Sequence, residues 1–146
     1  MSVADVARPF DTEAALRLAL EAVRMAVWSW DVRTDVFDWS EPAAALLAIP
    51  ADRQHGNIAS FLDLIHPPDR QRVQLAVEAA LTPDAGPDQL RVEFRVVRAN
   101  AAVRWLEARG MVQRTADGLP ERIVGVAVDV TARRRAEEHQ RALADA

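Results

Sequence analysis

Three histidines, four tryptophans and no cysteine set the limits on what this chain of 146 residues can do chemically. His66, in His66-Pro67-Pro68-Asp69-Arg70, has the most reactive side-chain type, since imidazole titrates near neutral pH and ligates metals. It has no partners in the pattern. His55 falls in a polar loop and His139 in a C-terminal helical run, so no ligand set converges and no metal is expected. A structural histidine anchoring the start of a helix beside two prolines is the stronger reading. No nucleophile–base pair stands out, and the five scattered glycines make no phosphate loop. Without cysteine, thiolate catalysis, disulfides and zinc–sulfur sites are ruled out. The chain is therefore expected to have no catalytic residues. Trp28, Trp30 and Trp39 are expected to pack within a hairpin or at its surface rather than to stack on a cofactor.

The bulk composition fits a single globular domain. Half the residues are apolar and 27% are charged, with a net charge of −4 and no lysine. An acidic balance gives no electrostatic reason for a nucleic-acid or anionic-membrane partner. No leader pattern and no apolar run of about 20 residues appear, so the expected location is cytoplasmic.

Periodicity supplies the elements. Asp11 and Thr12 can cap a helix reaching about Ala26, with Leu16, Ala19, Leu20 and Val23 on one stripe and Leu18, Ala22 and Met25 beside it. Residues 27–32 and 36–40 are β-rich and flank the turn Arg33-Thr34-Asp35, which reads as a hairpin. A short helix is expected at 43–48, and another from an Asn57 cap to Ile65. The longest internal helix follows, with Val73, Ala76, Val77, Ala80 and Leu81 on one face.

Three strands come next. Leu90, Val92, Phe94 and Val96 alternate with charges, and Leu106, Ala108, Gly110 and Val112 form the expected inner row of the second strand by the same period. Asp117-Gly118 is a hairpin signal. The last strand, 123–130, is apolar on both faces, so it should be central and covered on both sides. Val124 and Val126 are assigned to the helix-covered side and Ile123 to the other. From Thr131, a suitable N-cap, a helix runs to the end of the chain. Its run Arg133-Arg134-Arg135 reads as a solvated face.

Four segments resemble the PAS fold, in the subgroup often called PAS fold 3. They are Trp28-Ser29-Trp30-Asp31 with Asp38-Trp39-Ser40, then His66-Pro67-Pro68-Asp69-Arg70. The third is Val92-Glu93-Phe94-Arg95-Val96 with Val103-Arg104-Trp105-Leu106-Glu107. The fourth is Gly125-Val126-Ala127-Val128-Asp129-Val130-Thr131 with Arg133-Arg134 and Glu137. The resemblance implies an α+β fold whose five-stranded antiparallel sheet has the order 2-1-5-4-3 and helices on one face. An N-terminal lead and amphipathic helix (1–26), a core (27–130) and an exit helix (131–146) follow from it.

The resemblance also implies function: a sensory and dimerisation module for an attached histidine kinase, or for an enzyme making or degrading a cyclic dinucleotide. An adaptor without ligand and a receptor for a small apolar metabolite are the alternatives. The candidate pocket is Val73, Val77, Leu90, Val92, Phe94, Leu106, Val124 and Val126. Asp129 and Thr131 are the expected signal-relay residues, whether or not they also cap the exit helix. Leu16, Leu20, Val23, Trp105 and Ile123 form the expected dimer or partner surface. Partners are a second copy, other signalling proteins or the output domain. A covalent flavin adduct is excluded for want of a cysteine. Haem is not expected, because haem-binding relatives carry a histidine in the long helix and Pro67 to Leu81 contains none.

Overall fold

The computed structural model describes residues 11–23, 25–40, 55–83, 88–97 and 102–145. The expected helix at 43–48 lies outside them. Helix α1 (Thr12–Ala22) begins where Asp11 Oδ1 accepts the Ala14 N–H at 3.0 Å. It ends four residues short of the expected Ala26, because strand β1 (Met25–Asp31) starts at Met25 and needs Ala26 in the sheet interior opposite Ala127. Strand β2 (Val36–Trp39) returns after a turn in which Asp35 adopts φ +54, a left-handed conformation that Asp tolerates. Asp35 earns that position: its Oδ1 accepts hydrogen bonds from Trp30 Nε1 (2.9 Å) and from the Ile58 N–H (3.0 Å).

A two-residue strand β3 (His55–Gly56) precedes helix α2 (Ile58–Leu64). That helix opens on the expected Asn57 cap, here a full capping box in which Asn57 Oδ1 accepts the Ser60 N–H at 2.9 Å and Ser60 Oγ accepts the Asn57 N–H. Helix α3 (Pro67–Leu81) places two prolines in its first turn, where no intrahelical N–H is required. Strands β4 (Gln89–Val97), β5 (Val103–Arg114) and β6 (Pro120–Asp129) follow, and helix α4 (Thr131–Ala144) leaves from the end of β6. Gly118, at φ +84, supplies the left-handed residue of the β5–β6 turn.

The strands form one antiparallel sheet in the order β3-β2-β1-β6-β5-β4. This is the expected five-stranded order with β3 added at one edge. Strand β6 sits between β1 and β5, as its two apolar rows require. Helices α2 and α3 cover the inner face, and the core gathers there around Phe94, Ile65, Leu106, Ile123 and Val73.

The parity of β6 is the reverse of the sequence expectation. Ile123, Gly125 and Ala127 face inward, and Val124, Val126 and Val128 face outward. Register fixes this: Ile123 lies between Trp30 and Val112, Gly125 between Trp28 and Gly110, and Ala127 between Ala26 and Ala108. The glycine pair is a slot for the Trp28 indole. A Cβ on Gly125 would lie 2.7 Å from Trp28 Cζ2 and 2.1 Å from the Arg109 carbonyl oxygen, and one on Gly110 would lie 2.9 Å from Trp28 Cη2. Only the row containing Gly125 can pass beneath the indole.

Candidate functional site

Two surfaces of the sheet could do work. The inner one is an aromatic chamber under α2 and α3. Alternation along β1 and β2 turns Trp28, Trp30, Phe37 and Trp39 inward, and α2 adds Phe61. Phe37 stacks on Trp28 at 5.8 Å and on Phe61 at 4.8 Å, while Phe94 meets Phe61 edge-on at 5.8 Å. The tryptophans expected in or on the hairpin are therefore core walls. The space they leave is about 20 Å³, lined entirely by apolar surface, which is room for about one water-sized sphere. Among the described residues Trp28 Nε1 is buried without a hydrogen-bond partner. The residues lining the chamber include no acid, base or metal ligand, and no cluster of metal-binding side chains occurs among the described residues.

Five of the eight expected pocket residues wall this chamber: Val73, Val77, Leu90, Val92 and Phe94. Leu106 is fully buried but is not part of the wall. Val124 and Val126 lie on the opposite side of the sheet, for the parity reason above, and Ile123, expected at a partner surface, is a chamber wall with 1% exposure.

The outer face is mixed. Val124, Val126 and the exposed Met111 floor an open groove of about 440 Å³, flanked by Arg91 and Arg109. Between those arginines the buried Glu107 pairs with both, at 3.4 Å and 2.5 Å. Leu16 and Val23 of α1 are exposed and Leu20 is half-buried, so the α1 stripe remains largely open.

The third locus is the root of α4. Trp105, half-buried on the outer face as expected, lies 3.9 Å from the Arg134 guanidinium carbon and 5.1 Å from that of Arg95. The Trp105 backbone N–H donates to Thr131 Oγ1 at 2.9 Å. The Thr131 side chain is thus spent on β5 and does not cap α4, correcting the expectation that Thr131 is the N-cap. The capping-type bond is made instead by Asp129, whose Oδ1 accepts the Thr131 N–H at 2.9 Å while Oδ2 accepts Arg104 Nε at 2.9 Å. Burial pushes the Asp129 carboxyl up, but the bonds from Thr131 and Arg104 outweigh it and hold it below its ordinary value.

At the same end of the molecule Asp69, in the first turn of α3, is buried against the free edge of β4. Its carboxylate accepts Arg95 Nη2 at 2.7 Å, Arg95 Nε at 3.0 Å and the Arg95 backbone N–H at 2.8 Å. Those bonds from Arg95 hold the carboxyl down at about 2, against an ordinary 3.8, despite the opposing effect of burial. Arg95, in turn, is raised by its bond to Asp69.

Arg95 and Glu93 carry no sequence signal that singles them out from the alternating charges of β4. Arg133 and Arg134, read as a solvated face, both pair with Glu93 of β4. For these two a signal was present: three arginines in the first turns of a helix oppose its dipole and call for an acid from elsewhere.

A family model described as PAS fold matches residues 36–127. Sensor protein FixL from Bradyrhizobium diazoefficiens is 31% identical over 121 residues, 83% of this chain and 23% of that protein. A crystal structure of a sensory box histidine kinase/response regulator from Burkholderia thailandensis superposes with a TM-score of 0.73 at 28% identity, covering 89% of this chain and 95% of that one. The N-terminal domain of a diguanylate cyclase with PAS/PAC sensor from Marinobacter aquaeolei shares the fold, with a TM-score of 0.66 at 18% identity over 75% of this chain and 98% of that one. The chain spans less than a quarter of the length of FixL.

Proposed function

The chain belongs to the PAS fold family and is a sensor module of the signalling type, and on that premise we propose that it works in the cytoplasm as a dimerising relay for an attached output domain. The observation that carries this reading is the root of α4. The exit helix is bonded to β5 through Thr131 and Trp105, so a change in the sheet reaches it directly. A histidine kinase or a cyclic-dinucleotide enzyme is the proposed output, by likeness to the named relatives. The module itself does no catalysis and holds neither covalent flavin nor haem, which fits the absence of cysteine and of any histidine in residues 67–81.

The proposed partner is a second copy. The outer groove offers an apolar floor between Arg91 and Arg109, and α1 offers exposed Leu16 and Val23 with an acid, Glu13, in its first turn. Sedimentation equilibrium at high micromolar concentration should give a dimer that Val126→Glu converts to monomer. A wild-type monomer under those conditions would overturn the dimer reading.

A receptor role is a second reading, favoured by the unpaired Trp28 Nε1 in an otherwise apolar chamber. A metabolite would have to displace core side chains to enter about 20 Å³. Native mass spectrometry of freshly extracted protein tests it: a stoichiometric small molecule supports the receptor, and a bare chain sinks it.

A further inference from the structure

Helix α4 begins badly by its own local chemistry. No side chain caps it at Val130, no acid stands in its first turn, and Arg133, Arg134 and Arg135 crowd the end where its dipole repels cations. Arg134 Nε is also buried without a hydrogen-bond partner among the described residues. Asp129 takes the Thr131 N–H at 2.9 Å and Glu137 pairs with Arg133 at 3.2 Å within the helix, and the remaining hold on this turn comes from β4 and β5. Glu93 takes Arg133 through Oε1 and Arg134 through Oε2 at 3.5 Å, and Trp105 takes the Arg134 guanidinium on its ring.

Arg95 is placed to compete for both of those partners. It stands two residues from Glu93 on the same outward row of β4, and its guanidinium already lies over Trp105. Asp69 engages it bidentately from the other side of the strand edge. Helix α3 therefore grips β4 at this point, where two further bonds cross to the strand and a pair within α3 steadies them. The His66 N–H donates to the Arg95 carbonyl at 2.8 Å, Arg72 Nη1 donates to the Glu93 carbonyl, and Arg72 pairs with Asp69 at 3.5 Å. The same helix walls the aromatic chamber with Val73 and Val77.

We propose that Asp69 is a latch that holds Arg95 back from Glu93 and from the closer seat on Trp105, which Arg134 occupies at 3.9 Å against 5.1 Å for Arg95, so that displacement of α3 frees Arg95 to evict Arg133 and Arg134 and to loosen the first turn of α4. This deepens the relay reading, on which its biological meaning rests, and assigns the route to the β4 edge. Asp129 and Thr131 then act as the fixed hinge: each of their bonds lies within the β5–β6–α4 junction and none reaches α3.

Hydrogen exchange across residues 131–138 of the whole chain tests the latch. Asp69→Asn should speed exchange there roughly three- to tenfold while leaving the centre of β5 protected. Adding Arg95→Gln should slow it again towards wild type, because the competitor is gone. A merely structural loss at Asp69 gives no such rescue. Unchanged exchange in a folded Asp69→Asn chain overturns the proposal, and so does a double variant as fast as the single one. Should Asp69→Asn fail to fold, Glu93→Gln probes the other end: it must loosen residues 131–138 with α3 still protected, and wild-type exchange there overturns the latch. All of these readings hold within one subunit, so a monomeric chain that shows the rescue removes the dimer and leaves the latch standing.

Discussion

The two faces of the sheet are built on opposite principles. The inner face is apolar and aromatic, its side chains packed around a chamber of about 20 Å³. The outer face carries half-buried valines among arginines and glutamates that share partners: Glu107 between Arg91 and Arg109, Glu93 between Arg133 and Arg134. Close-packed interiors resist rearrangement, whereas exposed ion pairs exchange partners at a cost of about 1 kcal/mol or less. The stability of this chain is thus concentrated on one side of a single layer of backbone, and its capacity to rearrange on the other.

Breaking the inner face should have the largest effects. Phe94 has no exposed surface and contacts the aromatic stack, so Phe94→Ala is expected to cost about 3–5 kcal/mol in urea unfolding. A loss below 1 kcal/mol would mean that the chamber is not the centre of the core. Gly125→Ala comes next. The added Cβ would collide with the Arg109 carbonyl and the Trp28 ring, and shifting them should cost about 1–3 kcal/mol or more. The same type of substitution at Gly118, where a Cβ meets nothing within 4 Å, carries only the strain of its positive φ.

Between the two faces stands the Asp69–Arg95 pair at the sheet edge. The folded carboxyl titrates at about 2, below the ordinary 3.8, so it stabilises the fold above about pH 4 and loses that contribution as pH falls towards 2. The loss amounts to roughly 2 kcal/mol. The stability gap between wild type and Asp69→Asn should therefore close as pH drops from about 5 to about 2. A gap that stayed constant over that range would show that the pair does not set it.

Much of this layout was legible in the chain. The Asn57 cap, the prolines opening α3, the Asp117-Gly118 turn and the alternation of β4 each carry a local signal that tertiary structure did not override. The central place of β6 was legible too, from its two apolar rows, although the cover expected over both faces is found only on the inner one among the described residues, Val124 and Val126 flooring an open groove. Which of its rows faces inward was not, for the same reason: two apolar rows look alike until Trp28 is set opposite Gly125. The role of Arg133 was hidden by distance, its partner Glu93 lying 40 residues earlier. Local pattern reveals caps, turns and periods; pairings made across the sheet have no local trace.

The outer groove should give the smallest change in stability. Met111 is 64% exposed and rests on the groove floor without joining the core cluster. Met111→Ser is expected to alter unfolding free energy by no more than about 0.5 kcal/mol. If a second copy docks on this face, the same substitution removes apolar contact at the interface and should weaken dimerisation measurably while thermal unfolding of the dilute chain stays put. A substitution silent in unfolding but visible in association separates the two faces by function as well as by composition. A substitution that destabilised the dilute chain as strongly as Gly125→Ala would erase the distinction, and with it the reason for placing the interface on the outer side.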